Sequence, residues 1–338
     1  MLKGLAVALS LTLAATAAQA ADYKAPRTAF GQPDLQGTWT NASLTTLVRP
    51  AGYKSLTIPE AQAKAFEQRQ AQMRDAQNRP SDPTAGAPRV GNDPGGYNNF
   101  WVDPGTHMGR INGEVRTSWI VDPADGQLPY HAEGKKLFEK TQNYVRNTFD
   151  GPETRPLGER CILGFGSTAG PPMLNVLYNN NYQIVQTPDY VTIVVEMNHD
   201  ARVIRLNDRK HPPRSIKKWM GDSVGWWEGD TLVVETTNFH PDESFRPYFG
   251  NSIYISTDGK VTERFTRVSK DQILYRFTVD DPKVYSKPWT AEMPLNASDK
   301  PVYEYACHEG NYSLPGILAG ARVAEKEGRK PEAVDVSE

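Results

Sequence analysis

Lys260-Val261-Thr262-Glu263-Arg264-Phe265-Thr266-Arg267-Val268 runs through Ser269-Lys270-Asp271 into Gln272-Ile273-Leu274-Tyr275-Arg276-Phe277-Thr278-Val279. A strand sends successive side chains to opposite faces. That rule puts Val261, Glu263, Phe265 and Arg267 together on the first run. On the second it puts Ile273, Tyr275, Phe277 and Val279 together. The short polar link makes the two runs an antiparallel hairpin with one apolar face.

Working outward, the same alternation recurs at short intervals. It predicts strands at Tyr182 to Gln186, Tyr190 to Met197, Arg202 to Leu206, Gly225 to Trp227 and Thr231 to Thr236. Two more are expected near Pro288 to Met293 and Val302 to Ala306. Turn residues separate neighbours, as in Thr187-Pro188-Asp189, Asn198-His199-Asp200 and Glu228-Gly229-Asp230. No helical segment alternates with these strands, which argues against a parallel α/β sheet. The expectation is a mainly β chain, an antiparallel meander closing into a barrel, with a sandwich as the alternative. Helices are peripheral. Thr57-Ile58-Pro59-Glu60 reads as a capping box opening a helix to about Asn78, with a thin face of Ala61, Ala65, Phe66 and Met73. A second helix is expected over His131 to Arg146, with Leu137, Phe138 and Tyr144 turned inward, and a third over Leu314 to Lys326. Arg116 to Val121 adds a strand. From Arg79 to Glu114 runs a long stretch rich in Pro, Gly, Asn and Asp. Its Tyr97, Phe100, Trp101, His107 and Met108 are too aromatic for a plain linker.

The first twenty residues have the order of a secretory leader: Lys3, an uncharged apolar run from Gly4 to about Ala17, then Ala18-Gln19-Ala20. The apolar run is shorter than the roughly 20 residues of a spanning helix. We therefore expect a signal peptide over residues 1–20, cut after Ala20, and one mainly β domain over 21–338. The expected location is the periplasm or the exterior, with no integral membrane segment left after cleavage. A formal net charge of -2 gives no electrostatic reason to bind nucleic acid or an anionic membrane. Cys161 and Cys307 are the only cysteines. Export makes a disulfide between them possible, and two buried free thiols are the alternative.

Several segments carry a resemblance. They are Arg116-Thr117-Ser118-Trp119-Ile120-Val121-Asp122-Pro123, Tyr178-Asn179-Asn180-Asn181-Tyr182-Gln183-Ile184-Val185-Gln186 and His199-Asp200-Ala201-Arg202. Trp227-Glu228-Gly229-Asp230-Thr231-Leu232-Val233-Val234-Glu235-Thr236 and Tyr303-Glu304-Tyr305-Ala306-Cys307-His308-Glu309 belong with them. In these the chain resembles a family of exported bacterial hypothetical proteins, over most of its mature length. That resemblance implies no activity and no catalytic residues. Gly37-Thr38-Trp39, with the meander after it, is similar to the opening of lipocalin-like barrels. This implies a chain that turns in at Gly37 and a Trp39 that plugs one end.

Chemistry must come from polar groups set against an apolar β interior, because no nucleophile elbow, HExxH, calcium loop or dinucleotide fingerprint is present. Glu263 shares its face with Val261 and Phe265. A carboxyl group in an apolar cavity holds its proton to higher pH and can act as acid or base; a plain pair with Arg267 is the alternative. His199, beside Asp200 at a turn, is a candidate for proton transfer near neutral pH, and Arg202 for anion stabilisation. His308 would share a strand face with Glu304; the alternative is that both face solvent. Trp226, Tyr275 and Trp289 are candidate ligand-facing aromatics. These expectations describe a barrel with a pocket for a small apolar or aromatic molecule. It would be an acid–base hydratase, isomerase, lyase or hydrolase with no nucleotide cofactor and no metal. A non-catalytic binding protein and an envelope structural protein are the alternatives.

Overall fold

In chain order the strands of the computed structural model are β1 (Gly37–Thr40), β2 (Thr57–Ile58), β3 (Arg110–Ile111), β4 (Glu114–Arg116), β5 (Ile120–Asp122), β6 (Asn181–Gln186), β7 (Tyr190–Val195), β8 (Ala201–Arg205), β9 (Asp222–Glu228), β10 (Thr231–Thr237), β11 (Phe245–Tyr248), β12 (Asn251–Tyr254), β13 (Lys260–Ser269), β14 (Gln272–Asp280) and β15 (Trp289–Ala297). The helices are α1 (Glu60–Gln77), α2 (Ala132–Asn147) and α3 (Ser313–Lys326). The structure describes residues 23–78, 84, 102–164 and 167–331. The leader read at 1–20, its cut after Ala20 and the aromatic part of the Pro/Gly-rich stretch, Tyr97, Phe100 and Trp101, lie outside the described residues.

The order around the main sheet is β1-β6-β7-β8-β9-β10-β13-β14-β15, and β1 pairs again with β15. The ring is closed, so the barrel is realised and not the sandwich. β5 adds to the outer edge through β15. The strict antiparallel meander needs one correction. Nine strands cannot alternate in direction around a ring and return to the starting sense, so one neighbouring pair must run parallel. That pair is β8–β9, joined at Arg205 and Val224, while the other ring pairings are antiparallel. A crossover through residues 206–221 makes the connection.

The hairpin that opened the sequence reading has the expected register. Glu263 faces Phe277 and Phe265 faces Tyr275, with a bulge between Arg267 and Ser269 that leaves Lys270-Asp271 as the link. Its inward set, Val261, Glu263, Phe265, Ile273, Tyr275, Phe277 and Val279, is fully buried. Trp39 is also in the core and donates from Nε1 to the Leu35 carbonyl at 2.9 Å. Gly37, at φ +134°, takes a backbone state that L side chains avoid, and a Cβ there would lie 3.7 Å from Trp39 Nε1. Met173 and Leu174, from the segment before β6, are buried in the same cluster.

The helices depart from the reading in detail. α1 begins after Pro59, without a side-chain cap, because Thr57 and Ile58 are spent in β2. Its inner face is Ala63, Phe66 and Glu67, while Met73 is exposed. The ion pairs of Glu67 with Arg110 and His107 displace the expected alanine stripe. α2 is capped by His131, whose Nδ1 accepts from the Gly134 amide at 3.0 Å. Leu137 and Phe138 pack inward, but Tyr144 is exposed. The expected strand over Arg116 to Val121 is broken into β4 and β5. Val302 to Ala306 is not a strand; it has no regular structure and leads into the turn that carries Cys307. Cys161 and Cys307 are bonded, with Cα atoms 5.6 Å apart. Among the described residues no helix is long and apolar enough to cross a membrane.

Candidate functional site

Alternation on β8, β13 and β14 aims Arg202, Glu263 and Tyr275 at one another inside the ring. Arg202 donates from Nη1 to Glu263 Oε1 at 3.0 Å and from Nη2 to Oε2 at 2.5 Å. Tyr275 donates its hydroxyl proton to Oε1 at 2.7 Å and accepts from the Met173 amide at 2.9 Å. The Arg202 and Glu263 side chains are 1% and 0% exposed. Burial opposes the guanidinium charge, but the attraction of Glu263 outweighs it, and Arg202 holds its proton above the ordinary arginine value. Burial pushes the Tyr275 phenol well above 10, so it stays a donor. A two-pronged arginine–carboxylate pair with a third donor is a strong, geometrically specific contact. Its partner is Arg202, where the sequence offered Arg267. Arg267 instead lies over the Trp39 ring at 5.3 Å and donates to the Asp34 and Lys270 carbonyls.

The remaining sequence candidates lie elsewhere. His199 is exposed, at φ +46°, with Nδ1 3.3 Å from the Tyr305 carbonyl oxygen. His308 is exposed in the turn after Cys307. Among the described residues no hydrogen bond or ion pair joins either imidazole to Glu263. Asp200 accepts from the Gly164 amide at 2.9 Å, and burial lifts its carboxyl above the ordinary range. Trp289 is buried edge-on to Phe277 and Tyr285. Trp226 faces outward, with the Arg209 guanidinium 4.6 Å from its ring and Nε1 on Glu228. Tyr275, Trp289 and Trp226 therefore do not line one space.

Two charge clusters escaped the sequence reading. Asp222 opens β9 with a fully buried carboxylate. It accepts from Arg205 through both oxygens at 2.9 Å, from Lys218 at 2.6 Å and from His211 Nδ1 at 2.8 Å. Burial opposes its charge, and those donors overcome it, holding the carboxyl far below the usual range. Glu243 closes a short helical turn over Pro241–Glu243 and lies 3.8 Å from Arg246, whose guanidinium is buried over Phe239. Burial lifts the Glu243 carboxyl to about 8 against the pull of Arg246, so it is mostly protonated at neutral pH. No motif signals either cluster: Asp222 gathers its partners from β8 and the crossover before β9, and Glu243 and Arg246 are an ordinary i,i+3 pair whose burial the sequence does not show. Among the described residues no group of three or more His, Cys, Asp or Glu is placed to hold a metal ion.

One open space lies at the rim, where β1 meets β6 and β15. A cleft of about 600 Å3 is walled on one side by Asn179, Asn180, Asn181, Asn296 and Gln272, and on the other by the chain from Asp103 to Arg110. Thr40, Ser43 and Ser298 add hydroxyls. Some amides are committed. Asn180 bonds the Val176 backbone through both ends, and Asn181 donates to Glu196 at 2.7 Å. Asn179, at φ +52°, makes no side-chain bond with the described residues. Its charged lining residues balance, Arg110 and Lys300 against Asp103 and Asp299. Three consecutive asparagines before a strand were the available signal; the sequence reading used them only as part of a resemblance. Comparison with protein-family models, with curated proteins and with solved structures gives no match.

Proposed function

We propose that the protein is an exported, periplasmic or secreted binding barrel that holds a small polar molecule in the rim cleft. The Arg202–Glu263–Tyr275 cluster serves as its scaffold. The observation that carries this reading is where the free polar groups are. Inside the ring, Glu263 has both oxygens engaged and no solvent contact. At the rim, neutral donors and acceptors surround about 600 Å3 of open volume, within the range of small-molecule sites. Acid–base chemistry at Glu263 would require a substrate to displace Arg202 or Tyr275 from a sealed core. An apolar or aromatic ligand, the expectation from sequence, would leave the Asn179 amide unpaired. The disulfide supports an oxidising compartment, and the leader-like start supports export.

Native mass spectrometry of the protein as isolated tests this, with Thr106→Trp as the blocking variant. Thr106 lines the cleft from an exposed loop, so a bulky ring there fills the space without disturbing the barrel. The expected result is a retained small mass that is lost in Thr106→Trp. A mass that survives Thr106→Trp but disappears in Glu263→Gln would move the ligand into the ring and overturn the proposal.

A further inference from the structure

We infer that the crossover between β8 and β9 docks the protein on an anionic lipid surface, with Ile216 entering the headgroup layer. The inference is independent of the rim cleft, since the β8–β9 seam lies across the ring from β1, β6 and β15. Arg209-Lys210-His211-Pro212-Pro213-Arg214-Ser215-Ile216-Lys217-Lys218 holds five lysines and arginines and no carboxylate. The net charge of -2 averages over the whole chain. A charged surface feels only what lies within about a Debye length of it, roughly 8–10 Å.

The carboxylates around this loop are outnumbered. Asp222 is shared by Arg205, Lys218 and His211, and Asp258 by Arg214 and Lys283. Glu235 lies between His211 and Lys260, and Glu228 is bonded to Arg264. Asp208 accepts from the Lys210 backbone amide at 2.8 Å. Lys217 donates to the Thr257 carbonyl at 3.1 Å, a neutral partner that leaves its charge uncancelled. The Arg209 and Lys210 side chains are exposed and make no ion pair with the described residues; Arg209 lies over the Trp226 ring. A surplus of positive charge remains on this face. The tip of the loop is also held in shape. Buried Asn238, at φ +62°, places Nδ2 3.2, 3.1 and 3.0 Å from the carbonyl oxygens of Pro212, Pro213 and Ile216. The Ile216 amide donates to the Pro213 carbonyl at 2.9 Å and closes the turn. That turn leaves Ile216 49% exposed, with Arg214 two residues before it and Lys217 next to it. A dissolved polyanion would answer the cations and leave the isoleucine in water. A bilayer interface answers both, because apolar insertion and headgroup attraction add. The fixed turn costs little further ordering on docking.

Co-sedimentation with vesicles of phosphatidylcholine alone, and of phosphatidylcholine and phosphatidylglycerol in equal parts, tests this. The proteins are wild type, Ile216→Ser, and Arg209→Glu combined with Lys210→Glu. All three positions are exposed, so the variants should keep the wild-type circular dichroism. Wild type should sediment with the phosphatidylglycerol vesicles, not with phosphatidylcholine alone, and should be released by high salt. A cation near the membrane is worth about a fivefold gain in partition, so the double charge reversal should weaken binding by more than about tenfold. Ile216→Ser should weaken it roughly fivefold. No sedimentation with phosphatidylglycerol vesicles overturns the inference. So does binding that either variant leaves unchanged. If Ile216→Ser has no effect, the face belongs to a dissolved polyanion; if the charge reversal has none, the contact is not electrostatic.

Discussion

Glu263 shows how one buried carboxylate can specify a core without offering chemistry. Removing one member of a buried pair leaves the other charge uncompensated, at a cost of about 3–5 kcal/mol. Glu263→Gln should lower the stability read from urea unfolding by that order, and adding Arg202→Met should recover much of it. An unchanged midpoint in Glu263→Gln would mean that the pair does not hold the ring. Glu243 gives a prediction of opposite sense. Its carboxyl titrates near 8 in the folded protein, against an ordinary value of 4.5. Between those values the folded state binds more protons than the unfolded one, so stability falls as pH rises from about 4.5 to about 8. Glu243→Gln should flatten that slope in unfolding curves taken across the interval. At this scale the inward direction of Glu263 and Tyr275 was legible from alternation. Its partner was not: Arg202 and Arg267 both fit the pattern, and only the path of the ring decides which guanidinium crosses the interior.

At the scale of elements, the parallel seam between β8 and β9 shares a single paired position, so side chains must hold the crossover. Asp222 does this by gathering Arg205 from β8 with His211 and Lys218 from the crossover itself. Asp222→Asn should destabilise the protein by about 2 kcal/mol and speed amide hydrogen exchange first within residues 206–221. Uniform acceleration along the chain would show that the clamp is not local. α2 is seated by a close approach: a Cβ at Gly134 would meet the Val284 carbonyl oxygen at 2.0 Å. Gly134→Ala should therefore lift the helix from the barrel and expose Phe138, detectable as faster exchange in α2. Strands with strict alternation, β6, β7, β13 and β14, were readable because one face is dry. β11 and β12 were missed, since Pro247 and short polar runs hide their period. Val302 to Ala306 alternates like a strand but finds no edge to join, the ring being already shut by β1 and β15.

For the whole molecule, the disulfide spans 146 residues and ties the segment from Val302 to Cys307 to the chain before β6. A crosslink of that span constrains the unfolded chain by about 4–5 kcal/mol at most. Reduction, or Cys161→Ser with Cys307→Ser, should lower the urea midpoint with little change in far-ultraviolet circular dichroism, because the ring keeps its own hydrogen bonds. Closure itself joins distant parts of the chain: Trp39 lies opposite Ala297. A ribosome must therefore deliver nearly the whole polypeptide before the first strand meets its second neighbour. Until then β1 and the end of β15 beyond its pairing with β5 are bare edges, able to pair with a strand of another molecule. The slow, long-range event in maturation is the meeting of those two edges, and the hazard while it is pending is aggregation through them.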